Sequence, residues 1–98
     1  MAAYLIAELT EVTDPAGFED FGVKVRPLVE RYGGVYRAAG APEVKEGDAR
    51  PLTAVVVEFP SMERLQAFYD ADEYRDLKAL RQRSSRGSLM FLDGVPAG

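Results

Sequence analysis

Three features of this 98-residue chain predict an α+β fold, with one sheet carrying helices on one face. Two segments begin with a capping residue and then repeat apolar residues at three- and four-residue steps, as helices do. One run, "LTAVVVEF", is dense in β-branched residues that suit strands. The remaining apolar runs alternate or are bounded by glycine and proline, which marks further strands.

In chain order, "YLIAELTEV" (4–12) alternates well enough to be the first strand. Asp14 followed by Pro15 starts a helix, because the carboxylate caps free N–H groups and proline fits the first helical position. Phe18, Phe21, Val25, Leu28, Val29 and Tyr32 then fall on one face. Pro27 removes one internal hydrogen bond, so a local bend is expected there. In "RYGGVYRAAG" (31–40) the paired glycines end that helix and "VYRAA" opens the second strand. "EVKEGDARP" is read as its continuation to a turn at Gly47-Asp48. "LTAVVVEF" (52–59) is the third strand, broken by Pro60, and Ser61 caps the second helix. That helix turns Met62, Leu65, Phe68 and Tyr69 inward, pauses near Asp70-Ala71-Asp72, and resumes with Tyr74, Leu77 and Leu80. "SLMFLDG" (88–94) is the last strand. Residues 1–95 form one domain and 96–98 a tail, with no repeat or linker between.

The order β-α-β-β-α-β is the ferredoxin-like pattern: a four-stranded antiparallel sheet with two helices on one face. Right-handed crossovers are expected to leave the first and third strands as central, parallel neighbours. The other face is bare. Leu5, Ala7, Leu9, Val55, Val57, Phe59, Leu89 and Phe91 are expected under the helices, and Tyr4, Ile6, Glu8, Thr10, Ala54, Val56, Glu58, Met90 and Leu92 on the bare side. Half of that second set is apolar. Burying one Ile, Val, Leu or Met is worth roughly 1.5–3 kcal/mol, so a second copy stacked on this face is the expected partner.

Composition removes several chemistries. With no cysteine and no histidine, disulfides, thiolate nucleophiles, the usual zinc sites, Ser-His-Asp triads and histidine-held haem are not available. No cofactor and no metal is expected. A net charge of −4 argues against a nucleic-acid surface, which needs concentrated basic charge. No apolar run reaches the ~20 residues of a membrane helix, so the expected location is cytoplasmic.

Any acid–base chemistry must therefore use a carboxylate, tyrosine or lysine. Glu8 and Glu58 share a face of neighbouring strands and are the candidate catalytic pair, since close carboxylates raise one another's pKa. The competing reading places them at an interface rim, pairing with arginines, with Arg37 a partner for Glu58. Candidate ligand contacts are Tyr36, Arg37, Glu58, Tyr69 and Tyr74, with simple packing the competing reading for each tyrosine and the favoured one for Tyr69 and Tyr74. Arg81 is read as a helix-surface residue paired with a nearby acid, and Arg83 and Arg86 as solvated or anion-binding.

A string of short motifs carries a resemblance over nearly the whole chain: "VTDP" (12–15), "YGGVY" (32–36), "EGD" (46–48), "VVVEFPSME" (55–63), "FYDADEY" (68–74) and "LRQRS" (80–84). Together they look like the uncharacterised family known as domain of unknown function 1330. The resemblance implies the dimeric α/β-barrel arrangement, in which two ferredoxin-like subunits stack their sheets. Superfamily relatives include cofactor-independent monooxygenases, muconolactone isomerases and haem-dependent peroxidases, with small organic molecules bound between sheet and helices. The chain departs from the family pattern at three places: Ala39 stands where an arginine is common, Ala49 where a tryptophan is, and Thr53 where a basic residue is. Arg37 replaces the missing guanidinium only if the second strand is regular. Three functions follow as expectations: a homodimer binding a small organic metabolite, a cofactor-independent enzyme of monooxygenase or isomerase type, or a non-catalytic assembly module.

Overall fold

Asp14 and Ser61 both cap the helices that the sequence marks for them. In a computed structural model, which describes residues 1–96, the Asp14 carboxylate accepts from the Gly17 N–H at 3.2 Å and Ser61 Oγ from the Arg64 N–H at 3.1 Å. The elements run β1 (Ala3–Val12), α1 (Pro15–Arg31), β2 (Val35–Gly40), β3 (Thr53–Phe59), α2 (Met62–Asp70), α3 (Asp72–Ser84) and β4 (Ser85–Asp93). Residues 97 and 98 of the expected tail lie outside the described residues.

The sheet order is β2-β3-β1-β4, and every neighbouring pair is antiparallel. This corrects the expected parallel pairing of β1 and β3. The crossover through α1 leaves β2 parallel to β1 but two places away; the turn-back to β3 reverses direction, so β3 enters between them antiparallel to both. Two further expectations change. The second helix is interrupted, not merely paused: Ala71 takes an extended backbone (φ −63°, ψ 140°) and separates α2 from α3. β2 stops at Gly40, whose φ of +147° leaves the strand, and residues 41–52 form a loop without a ladder. α1 continues through Pro27 to Arg31. β4 begins at Ser85, directly after α3, where the Ser84 carbonyl accepts from the N–H groups of Thr13 and Asp14.

Between sheet and helices lies the core, as the strand phases predict. Leu5, Val57 and Phe59 meet Val25, Leu28 and Val29 of α1, Leu65 and Phe68 of α2, and Tyr74 of α3. Its centre is aromatic: Phe68 sits 4.6 Å from the Tyr74 ring, 5.5 Å from Phe59 and 6.2 Å from Tyr32.

The paired glycines after α1 do different work. Gly33, at φ +88°, makes the left-handed turn out of the helix. Gly34 is needed for space, since a Cβ there would stand 2.5 Å from Val29 Cγ1 and 2.9 Å from Phe59 Cζ. We expect Gly34→Ala to lower stability by about 1–3 kcal/mol through overpacking. Gly22, inside α1 with nothing within 4 Å of an added Cβ, gives the opposite sign: Gly22→Ala should add about 0.5–1 kcal/mol. Urea unfolding of the two variants checks both directions.

On the open face three cross-strand rungs are laid side by side. The middle rung, Ala38–Val56–Ile6–Met90, is wholly apolar. One flanking rung carries Glu58, Tyr4 and Leu92, and the other Ala54, Glu8 and Ser88. Met90 and Leu92 are 48% and 57% exposed in the single chain, a large apolar exposure for strand residues.

Candidate functional site

A cleft of about 240 Å³ opens between the sheet and the helices. Its floor is laid by inward residues of β1 and β3, among them Leu5, Ala7, Val55 and Val57, because alternate residues of a strand share one face. Phe18, Phe21 and Val25 of α1 form one wall. Phe18 and Phe21 stack with ring centroids 6.2 Å apart. Polar groups enter from Tyr36, Thr53, Tyr74 and Arg81, and among the described residues no carboxylate side chain lines the space.

Tyr36 reaches the cleft from β2, and a β-bulge decides what accompanies it. Tyr36 pairs with Val57, whereas Ala38 pairs with Val56 and Ala39 with Val55. The extra residue is Arg37. As in other bulges, two residues of one strand oppose one of its neighbour, so the alternation slips by one. Tyr36 and Ala39 therefore both line the cleft, three positions apart. Arg37 is carried to the open face, where its Nε donates to Glu58 Oε1 at 3.2 Å. It does not stand in for a guanidinium at Ala39. Thr53 also lines the cleft, while Ala49 lies in the exposed loop.

The other candidates divide by face. Glu58 receives Arg37 and, at 3.4 Å, the Tyr4 hydroxyl. Glu8 lies on the same face but opposite Ala54, whereas Glu58 lies opposite Tyr4. Four positions of strand separate the two rungs, about 13 Å at the usual rise, so the carboxylates are not brought together. Neither lines the cleft. Tyr69 packs edge-on against Phe91 at 5.4 Å with the Lys78 ammonium 4.4 Å above its ring. Tyr74 is 1% exposed and does line the cleft.

Sequence reasoning missed Arg81 as a cleft residue. Its Nη1 donates to the Tyr74 hydroxyl at 3.3 Å, and among the described residues no carboxylate lies within ion-pair distance. The expected acidic partner is replaced by a phenol. A signal was present, since positions 74 and 81 are seven apart and fall on one helix face after two turns. Arg26 was missed too; its guanidinium carbon stands 4.3 Å from the centroid of the Tyr36 ring, a cation–π arrangement. Arg86 pairs with Glu11 at 3.4 Å.

Burial raises the pKa of both cleft tyrosines. For Tyr36 the Arg26 charge offsets part of the effect, and for Tyr74 the Arg81 charge does so. Both phenols are protonated at neutral pH and act there as hydrogen-bond donors or acceptors. A tyrosine whose folded pKa exceeds its unfolded value, about 10, lends stability that is complete below pH 10 and is lost as pH rises through the folded pKa. Stability should therefore fall above about pH 10, and Tyr74→Phe should flatten that fall. Urea midpoints between neutral and strongly alkaline pH test it; an unchanged alkaline slope in the variant would refute the assignment.

Fold and cleft together define a ferredoxin-like domain with an apolar recess between its sheet and its helices. Within that class, the chain belongs to the family described as domain of unknown function (DUF1330), which matches residues 2–95. No protein of curated function matches it in sequence. Solved structures do match its fold. A protein of unknown function from Rhodopseudomonas palustris superposes with a TM-score of 0.80 at 16% identity, covering 98% of this chain and 84% of that one. SnoaB, a cofactor-independent oxygenase from Streptomyces nogalater, gives 0.70 at 10% identity, with 98% and 95% covered. A dimeric ferredoxin-like protein of unknown function from Bacteroides fragilis gives 0.63 at 11%, with 95% and 96% covered. At these identities the likeness is one of fold. Among the described residues no helix is long and apolar enough to cross a membrane.

Proposed function

We propose that this protein is a cytoplasmic homodimer that holds a small organic molecule in the cleft of each subunit. The observation that carries the reading is the cleft itself, an apolar recess with a few convergent polar groups, which is the usual form of a small-molecule site. At about 240 Å³ it lies just below the ~300–1,000 Å³ common for drug-sized ligands, so a molecule of one or two rings fits its scale. Tyr36 and Tyr74 are the ligand contacts in this reading. Arg37 and Glu58 belong instead to the open face, where the apolar middle rung supports stacking of a second copy. That a Bacteroides protein of the same fold is dimeric supports a homodimer here, and the apolar open face is where this reading seats the partner.

A thermal-shift screen of aromatic acids, phenols and quinones tests the binding. A ligand present at 100 times its dissociation constant should stabilise the fold by about 2.7 kcal/mol. Ala39→Trp, which places an indole at the cleft, should abolish the shift while leaving the fold intact. A shift that survives this substitution would place the ligand elsewhere, and no shift across the library would favour the assembly-module reading.

The cofactor-independent enzyme is the second reading, favoured by the shared fold with an oxygenase. Its proton-transfer group would have to come from the cleft, where Tyr36 and Tyr74 are the titratable phenols. Both are protonated at neutral pH, which suits a proton donor better than a base. Oxygen uptake on adding a ligand found in the screen, compared between the wild type and Tyr74→Phe, separates turnover from binding.

A further inference from the structure

The cleft does not end at its apolar wall. A second recess of about 340 Å³ adjoins it, sharing Ala7, Leu9, Arg81 and Leu89, and its remaining lining is mostly polar: Gln82, Ser85, Arg86 and Ser88, with Gly87. Arg81 stands at the boundary of the two. We propose that the recesses form one site for an amphipathic monoanion, a compact apolar carboxylate whose body fills the cleft and whose carboxylate meets the Arg81 guanidinium. This rests on the binding reading above and names the chemical class that the site selects.

Three observations support it. First, Arg81 is held in a partly buried position without a carboxylate partner among the described residues, and its one side-chain hydrogen bond goes to a neutral phenol. A guanidinium has five N–H donors in a planar fork, so most of its capacity is free for a carboxylate. Second, the Tyr74 hydroxyl accepts from Arg81 and donates to no protein acceptor among the described residues, leaving its proton available beside the same cation. Burial keeps that phenol protonated at neutral pH, so it can serve as a second donor. Third, among the described residues neither recess is lined by a carboxylate side chain that would repel an anion. Arg86 is not equivalent, because it is already paired with Glu11.

A matched pair of probes isolates the charge: 2-naphthoate and the uncharged 2-naphthamide, titrated calorimetrically into the wild type, Arg81→Gln, Arg81→Lys and Arg86→Gln. The carboxylate should bind the wild type about tenfold to a hundredfold more tightly than the amide, as a charge-assisted hydrogen-bonded pair would provide. Arg81→Gln should erase that preference while changing the amide's affinity by no more than about twofold, and Arg81→Lys should retain part of it. Arg86→Gln should keep it. Circular dichroism establishes that each variant is folded. Equal affinities in the wild type, or a preference that survives Arg81→Gln, would overturn the anion assignment while leaving a neutral cleft ligand standing. If neither probe binds, this assignment falls, and the screen above decides the broader binding reading separately.

Discussion

Replacing Phe68 with alanine should cost about 3–5 kcal/mol, the range for removing a buried aromatic ring from a packed core. Phe68 is 1% exposed and joins α2 to three other parts of the fold, through Tyr32 at the end of α1, Phe59 of β3 and Tyr74 of α3. Truncation leaves a void bordered by rings too stiff to collapse into it. Domains of this size are stable by only about 5–15 kcal/mol, so the variant would lie close to its limit at ordinary temperature. Phe68 also lines the cleft, and the same change should enlarge it and weaken any ligand. Urea titration followed by circular dichroism gives the loss directly, with Phe68→Leu as the milder comparison. A loss below about 1 kcal/mol would mean that the aromatic centre is not where this domain is held together.

The second large effect is on assembly. Val56 stands in the apolar middle rung, between Ala38 and Ile6. If a second copy stacks on this face, Val56→Asp buries a carboxylate in each subunit, at an effective cost of several kcal/mol per ion. Two-fold symmetry doubles the effect. With each 1.4 kcal/mol worth a factor of ten, the dimer dissociation constant should rise by about a thousandfold or more. Size-exclusion chromatography with light scattering should then report a dimeric wild type and a monomeric variant. Gln66→Asp, on the exposed side of α2, adds the same charge and should leave the dimer unchanged. A monomeric wild type, or a dimeric Val56→Asp, would place the interface elsewhere.

How much of this was legible in the chain depended on how local each cause is. The caps at Asp14 and Ser61 could be read because the hydrogen bond that makes them spans three residues. Strand phase in β1 and β3 could be read because alternation is a property of neighbours, and Leu5, Val57 and Phe59 are buried as it predicts. The extension of β2 through "EVKEGDARP" failed for want of a local contradiction. Val44 between two charged residues looks like a strand, while the ladder ends through the conformation of Gly40. Strand direction was misjudged from topology rather than from any residue. The cleft was the least legible part. It is lined by residues of β1, β2, β3, α1, α2, α3 and β4 that lie far apart in the chain, and no short window of sequence records how they come together. The spacing that puts Arg81 on the face of Tyr74 was legible, since both lie in α3, but that this face borders a cleft was not.

The bulge at Arg37 makes β2 count in threes where a regular strand counts in twos. Positions 36 and 39 address one side of the sheet, and 37 and 38 the other. Aligning this strand with a relative that lacks the extra residue must therefore open a one-residue gap, or Ala38 will be mistaken for Ala39. By the same spacing, a long side chain placed at position 39 would address the cleft rather than the open face. For an engineer the same offset separates two surfaces that stand one residue apart: position 39 edits what the cleft admits, and position 38 edits what stacks on the opposite face.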